Sequence, residues 1–378
     1  MRRAAFFSAL CALSAACSEP APTAAPDAAS DLGTDTATPD VSDVPDAPPD
    51  AEGLDASVDV ATVDDAGEDA PDVRVRVVPT EWPASPPPFP SYSGGACPTL
   101  MGGPTSAAGL NPSFPTGDTR RQFRLIVPRA YDPEGADRWP LVFAWHWLAG
   151  DSAQMVREAD LERSAENERV IVVVPDQQRN PDGNATNLFT WPFLDRSDPS
   201  GERVFFDDLL ACVSAQYRVD PTRVHAMGVS AGALWVTALT STERARHFAS
   251  VAILSGGLGE VPSTLHLAYA PQPNRYPAIV LWGGPTDRLI VDFNAASIRL
   301  RDALVDHGHF VVACTHDRGH ALPPLPPPGE GESRFQFVWD FFRDHPYGMR
   351  PATSPWIDAG LPPSAPTWCA IPPEITGG

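Results

Sequence analysis

Apolar stretches alternate with amphipathic ones along residues 91–378 of this 378-residue chain. Continuously apolar runs, such as residues 140–145, are typical of strands that are buried on both faces of a sheet, whereas residues 152–168 repeat with the period of a helix. The predicted strands are residues 121–127, 140–145, 170–174, 224–227, 248–254, 278–282 and 310–314, and the predicted helices are residues 152–168, 205–217, 233–239, 293–307 and 334–343. This order predicts the α/β class: a mostly parallel, doubly wound sheet with helices on both faces.

Two long stretches between these elements have no clear period. Residues 177–202 and 256–277 are rich in Pro, Asn and Gly, so we expect loops and no large cap domain. In a sheet of this kind the chemistry sits at the carboxyl ends of the strands. An open cleft there would suit a polymer or a large ester surface.

A serine between two glycines directly follows one predicted strand, in Gly228-Val229-Ser230-Ala231-Gly232. A predicted helix comes next, and this strand–turn–helix context is what a G-x-S-x-G nucleophile motif requires. The glycines let the backbone bend tightly and expose the serine hydroxyl. The pattern predicts Ser230 as a nucleophile, with a structural turn as the alternative.

A serine nucleophile needs a base, and the base needs an orienting acid. Asp287 follows the predicted strand 278–282, and His320 follows the predicted strand 310–314. We therefore predict Asp287 as the acid and His320 as the base, with Asp292 and His316 as their nearest rivals. The expected geometry has one His320 nitrogen near Ser230 Oγ, the other facing Asp287, and His316 outside that reach.

An oxyanion hole also needs backbone N–H groups that point at the developing charge. The amide of Ala231, directly after the serine, is the first expected donor. The loop that follows the predicted strand 140–145, at residues 146–150, is expected to supply the second.

These motifs resemble the esterase and depolymerase branch of the α/β-hydrolases, which share the chain order Ser, Asp, His. That branch includes polyhydroxybutyrate depolymerases and the feruloyl and acetylxylan esterases of carbohydrate esterase family one. The most specific match is VDPTRVHAMGVSAG at residues 219–232, and GPTD at 284–287 and GHALP at 319–323 complete it. The resemblance implies ester hydrolysis through an acyl-serine intermediate, without a cofactor or metal, and implies Leu148 as an oxyanion donor.

The chain departs from the pattern of that branch at two positions. Trp147 stands where glycine is usual and would narrow or cap the site, and Ala233 replaces the second glycine after the motif. Trp147 and Trp191 are candidates for the substrate pocket, and Trp235 is a weaker one, because each could instead belong to the core. The Trp147 departure, with the long N-terminal segment, motivates a rival hypothesis, a non-catalytic surface protein that binds glycan or polymer. A peptidase or acyltransferase on the same fold is a further alternative.

The histidines at 307, 309, 316 and 320 contain no helical i, i+4 pair, and they fall on different predicted elements. A zinc site is therefore not favoured. Cysteines are few: Cys11 lies near the start of the chain and Cys17 is considered below. The remaining four, Cys97, Cys212, Cys314 and Cys369, are expected to form two disulfides, with all three pairings open.

The N-terminus has the features of an export signal. Arg2 and Arg3 precede a short apolar stretch, residues 4–16, and small residues directly before Cys17 resemble a bacterial lipobox. We expect lipid attachment at Cys17, with an ordinary signal peptide as the alternative. The protein would then be exported, as an outer-membrane or cell-surface lipoprotein or in secreted form. The membrane would be contacted only through this anchor.

Residues 18–72 contain 16 acidic side chains, no basic one and no aromatic one. Such a segment cannot bury a core, and it carries most of the net charge of −21. The expected organisation is a signal peptide at 1–17, an acidic linker at 18–90 and a catalytic domain at 91–378. The acidity argues against nucleic acid as a partner. The expected substrate is an ester, including esters of a polymer.

Overall fold

A computed structural model describes residues 83, 85–178, 200–261 and 265–376. The chain divides into two units, Met1–Asp69 and Ala70–Gly378, and every described residue belongs to the second. The predictions for Cys17, for the acidic segment and for Trp191 fall outside the described residues.

Within the described residues, nine strands form one mixed sheet in the order β1-β2-β4-β3-β5-β6-β9-β10-β11, and β7 and β8 form a separate hairpin. Neighbours from β4 to β10 are parallel, and the pairs β1–β2, β2–β4 and β10–β11 are antiparallel. The strands are β1 (Leu110–Thr116), β2 (Thr119–Ile126), β3 (Trp139–Trp145), β4 (Ile171–Pro175), β5 (Val219–Val229), β6 (Ser250–Leu254), β7 (Gly259–Val261), β8 (Leu265–Leu267), β9 (Ala278–Trp282), β10 (Val311–Thr315) and β11 (Cys369–Ala370).

Helices lie between most of the consecutive parallel strands, as crossover connections require, and further helices follow β10. They are α1 (Ser152–Glu158), α2 (Leu161–Glu168), α3 (Ser200–Gln216), α4 (Ala231–Thr240), α5 (Phe293–Asp306), α6 (Gln336–Asp344), α7 (Pro355–Ala359) and α8 (Pro373–Thr376). Every residue of β4, β6 and β9 is buried, which matches their continuously apolar sequences. This arrangement confirms the predicted α/β class.

The described helices and strands differ from the predicted ones in a few places. The predicted helix 152–168 is two helices, because Asp160 between them adopts a left-handed φ of 53°. Strand β1 was not predicted: it contains Pro112 and Pro115, which only an edge strand accommodates. The stretch 256–277, expected to be irregular, contains the β7–β8 hairpin.

The described part of the chain contains two disulfides, Cys97–Cys212 and Cys314–Cys369, and they select one of the three pairings that the sequence left open. The second links β10 to β11, so the last strand of the sheet is tied covalently to its neighbour. None of the helices in the described part of the chain has the length and apolar character needed to span a membrane.

Candidate active site

Ser230 lies in a sharp turn between β5 and α4, with φ 55° and ψ −116°. Positive φ is uncommon for a residue other than glycine and is a form of strain found at functional sites. The turn is closely packed: a Cβ atom on Gly228 would lie 2.4 Å from the Gly232 carbonyl oxygen, and one on Gly232 would lie 2.3 Å from that of Trp145. Both glycines of the motif are therefore required by close backbone contacts.

The structure brings the three predicted catalytic side chains together. Ser230 Oγ lies 2.9 Å from His320 Nε2, and His320 Nδ1 lies 2.7 Å from Asp287 Oδ1. A carboxylate can only accept a hydrogen bond, so Nδ1–H donates a hydrogen bond to Asp287 and Nε2 accepts one from the serine hydroxyl. This is the geometry that allows a histidine to remove a proton from a serine.

Asp287 is fully buried, yet it is well supplied with donors. Its Oδ2 atom accepts hydrogen bonds from Ser255 Oγ and from the Gly283 amide, each at 2.8 Å. Burial raises the pKa of Asp287, but the hydrogen bonds from His320, Gly283 and Ser255 outweigh it and leave the pKa below its usual value. The carboxylate is therefore ionised at neutral pH and can orient the imidazole.

Glycines let the loops that carry the acid and the base approach each other. The Gly319 amide donates to the Gly283 carbonyl at 3.1 Å, and a Cβ atom on Gly283 would lie 1.9 Å from the Gly319 oxygen. Gly319 itself has φ 62°, in the left-handed region that favours glycine. This contact sets His320 opposite Asp287.

The rival residues lie elsewhere. His316 is buried, and its Nδ1 accepts a hydrogen bond from the Arg318 amide at 3.1 Å. Its ring packs edge-on against Trp368, with the ring centroids 5.4 Å apart. Asp292 caps α5 by accepting from the Ala295 amide at 2.9 Å. Neither is part of the hydrogen-bonded chain from serine to acid.

The predicted oxyanion donors lie on two different elements. Ala231 is the first residue of α4, and amides in the first turn of a helix have no intrahelical acceptor. Leu148 lies in a turn in which Ala149 has φ 61° and the Gly150 amide donates to the Trp147 carbonyl at 3.1 Å. The start of α4 therefore fixes the backbone at Ala231, and the turn at residues 147–150 fixes it at Leu148.

The three tryptophans considered for the pocket have different surroundings. Trp147 is half-buried and its indole folds back over its own loop, where a Cβ atom on Gly150 would lie 3.0 Å from the indole nitrogen. Trp235 is buried in the core on α4. Trp191 lies outside the described residues.

A buried carboxylate behind the Leu148 loop was not predicted. Asp176 follows β4 and accepts hydrogen bonds from the Ser152 amide at 2.8 Å, the Ser152 hydroxyl at 2.5 Å and Gln122 Nε2 at 2.6 Å. His146, at the other end of the loop, places Nε2 3.7 Å from Asp176 Oδ1 and donates from Nδ1 to the Trp147 carbonyl at 2.8 Å. Both ends of the loop are therefore fixed. An acidic residue directly after a buried apolar strand was the available sequence signal.

The remaining histidines considered in the sequence lie apart from this site. His309 bonds Tyr269 Oη through Nε2 at 2.9 Å and the Tyr276 carbonyl through Nδ1 at 2.8 Å. His307 Nδ1 donates to the Ala303 carbonyl at 2.8 Å. Over the described ranges, no group of three His, Cys, Asp or Glu side chains could hold a metal ion.

Comparison with known proteins finds a matching family and similar solved structures. Residues 127–269 match the family described as Esterase PHB depolymerase, a range that includes Ser230 and ends before Asp287. Among solved structures, native pOPH is similar with a TM-score of 0.52 and 20% identity over 70% of this chain and 94% of that chain. Native sOPH is similar with a TM-score of 0.53 and 16% identity, over 75% of this chain and 97% of that chain.

The chain has the α/β-hydrolase fold. At these identities the solved structures support the fold alone. None of the curated proteins matches the chain.

Proposed function

We propose that this protein is a serine carboxylic ester hydrolase that works through an acyl-serine intermediate. The hydrogen-bonded chain from Ser230 through His320 to Asp287 carries the proposal, because it joins a strained turn to a base and an ionised acid. The match of residues 127–269 to an esterase family supports it.

In the proposed reaction, Ser230 Oγ attacks the ester carbonyl carbon and its proton passes to His320 Nε2. When the tetrahedral intermediate collapses, the C–O bond breaks and His320 returns that proton to the leaving alcohol. Water then attacks the acyl-serine with the same base, which releases the acid and restores the serine. Asp287 holds the tautomer and stabilises the imidazolium, and the Ala231 and Leu148 amides are the proposed oxyanion donors.

The proposed substrates are esters of the polyester or carbohydrate ester type, including polymeric ones. The family match to a polyhydroxybutyrate depolymerase group supports the first class. Hydrolysis of a short polyhydroxybutyrate oligomer, a feruloylated sugar and an acetylated xylan, measured side by side, separates the classes.

The mechanism is tested with the Ser230→Ala variant. We expect it to lose fluorophosphonate labelling and about 10⁴- to 10⁶-fold in kcat on p-nitrophenyl esters, with an unchanged circular dichroism spectrum. Ser241→Ala, at the other end of α4, is the control and should keep both. A wild-type protein that is neither labelled nor active would refute the hydrolase and favour a non-catalytic glycan- or polymer-binding protein.

We also propose that the protein is exported and anchored through a lipid on Cys17. The two disulfides support export, because such bonds persist in oxidising compartments. Wild-type protein should fractionate with membranes, because the several acyl chains of a lipoprotein together bind a membrane firmly. The Cys17→Ser variant lacks the attachment site for these chains and should be soluble. Cys11→Ser is the control and should stay with membranes. Soluble wild-type protein would indicate an ordinary signal peptide.

A further inference from the structure

We propose that Ser255 and Phe293 are positioning residues that hold the Asp287–His320 pair in its reactive orientation. The inference rests on the proposed function, because their contacts matter to catalysis only if this pair acts as acid and base. Ser255 contacts the carboxylate and Phe293 contacts the imidazole.

Ser255 fixes which carboxylate oxygen faces the base. Its buried hydroxyl donates to Asp287 Oδ2 at 2.8 Å, and the Gly283 amide donates to the same oxygen at 2.8 Å. With Oδ2 held by two donors, Oδ1 is left for His320 at 2.7 Å. The hydroxyl therefore restrains rotation of the carboxylate about its terminal bond.

The backbone of Ser255 indicates that its side chain is needed. Its φ of 52° is a conformation that costs a serine free energy and that glycine adopts freely. The next residue in the chain, Gly256, is held to α5 by a 2.8 Å hydrogen bond from Ser297 Oγ to its carbonyl. A glycine at 255 would satisfy the turn without strain, but it could not donate to Asp287.

Phe293 fixes the plane of the imidazole. It is the first residue of α5, and its amide donates to the Asp287 carbonyl at 3.0 Å. Its ring is buried and stacks on the His320 ring, with centroids 4.3 Å apart and an interplanar angle of 15°. The stack keeps both ring nitrogens directed along the Ser230–Asp287 line.

The same stack acts on the charge that forms during the reaction. When His320 takes the serine proton it becomes a cation, and a cation over an aromatic face is stabilised electrostatically. Phe293 therefore favours the protonated form of His320 as well as its orientation. Loss of the ring should weaken His320 as a base.

The hydroxyl is tested with Ser255→Gly, which suits the backbone, and with Ser255→Ala. We expect kcat to fall about tenfold in both, with KM little changed, because a hydrogen bond to a charged group is lost while Gly283 still donates. Ser164→Ala is the matched control: it removes a buried hydroxyl that donates to the Asp160 carbonyl at 2.9 Å, outside the contacts of Ser255 and Asp287, and should keep near wild-type kcat.

The ring is tested with Phe293→Leu, and Phe293→Tyr should restore the wild-type behaviour. In the leucine variant we expect kcat to fall severalfold and the acidic limb of the kcat/KM profile to move to lower pH by about half a unit or more. Phe310→Leu is the control, because Phe310 makes a similar stack with a histidine outside the site. Its ring centroid lies 5.0 Å from that of His345, with an interplanar angle of 18°. This variant should leave the pH profile unchanged.

Failure of the positioning roles and failure of the proposed function would give different results. A labelled, active wild-type protein whose Ser255→Gly and Phe293→Leu variants keep its kcat and its pH profile overturns this inference alone. An unlabelled, inactive wild-type protein overturns the proposed function and this inference with it. A fall in kcat that Phe293→Tyr reverses, together with the pH shift, supports positioning, since a merely structural role would not move the pH profile.

Discussion

Two glycines occupy the same helix position but have very different surroundings. Gly232 is the second residue of α4 and Gly201 is the second residue of α3. A Cβ atom on Gly232 would meet the carbonyl oxygens of Trp145 at 2.3 Å and His146 at 2.6 Å, whereas one on Gly201 would meet nothing within 4 Å. Backbone atoms at the end of β3 cannot move aside without moving the Leu148 loop.

We therefore predict that Gly232→Ala lowers kcat by at least about tenfold, because it displaces the proposed oxyanion loop, and costs about 1–3 kcal/mol in the free energy of unfolding. Gly201→Ala should be neutral or slightly stabilising. Urea unfolding and ester kinetics on both variants check this. Equal effects of the two substitutions would contradict the argument from close contact.

The residues that the sequence predicted are those that directly follow strands in a recognisable local motif, namely Ser230, Asp287 and His320. The sequence did not predict Ser255 and Phe293, because their importance depends on contacts with residues distant in the chain. Ser255 and Asp287, for example, are 32 residues apart in the sequence. A serine after an apolar strand has no distinctive local signal. Its positive φ, which marks it in the structure, is not visible in the sequence.

At the scale of elements, the long apolar runs predicted the central parallel strands because burial on both faces requires them. The edges were harder to predict. Strand β1 contains prolines, and β11 is two residues long and is held by Cys314–Cys369 and by its pairing with β10. Their formation depends on partners distant in the sequence, so a local pattern could not reveal them.

The two disulfides should affect stability and activity differently. Cys97–Cys212 spans 115 residues and Cys314–Cys369 spans 55, so by chain entropy the first should stabilise slightly more, with each contributing about 4–5 kcal/mol. The second, however, lies on β10, which leads to His320, and holds the segment in which the Trp368 carbonyl accepts from the Thr315 amide at 3.0 Å. Its loss should loosen the loop of the base.

We predict that Cys314→Ala/Cys369→Ala lowers kcat severalfold, while Cys97→Ala/Cys212→Ala leaves kcat near the wild-type value despite an equal or larger loss of stability. Thermal unfolding and ester kinetics on the two double variants give the comparison. The prediction is wrong if the Cys97–Cys212 variant loses more activity than the other.

At the scale of the whole molecule, four of the buried histidines are held in the fold in their neutral form. Burial lowers the pKa of His225 and of His309 to about 3, and that of His247 and of His345 to about 4. Ring nitrogens of three of them bond neutral groups: His225 Nδ1 lies 2.9 Å from Ser250 Oγ, His309 Nδ1 lies 2.8 Å from the Tyr276 carbonyl oxygen, and His345 Nε2 lies 2.8 Å from Ser354 Oγ. In the unfolded chain the same groups titrate near their ordinary pKa of about 6.5.

These shifts predict a fold that weakens in mild acid. Each histidine binds a proton more readily in the unfolded state, so its contribution to stability is complete above pH 6.5 and is lost as the pH falls toward the folded pKa. The expected slope is about 1.4 kcal/mol per pH unit for each histidine, so the free energy of unfolding should be level above pH 7 and drop by several kcal/mol by pH 5. Urea unfolding at pH 8, 7, 6 and 5 measures this.

His309→Gln, which removes one titrating group, should reduce the slope of the free energy of unfolding against pH between pH 6 and 5 by about one histidine's share. The prediction fails if stability is flat from pH 7 to 5, because the buried histidines would then have to bind protons equally in both states.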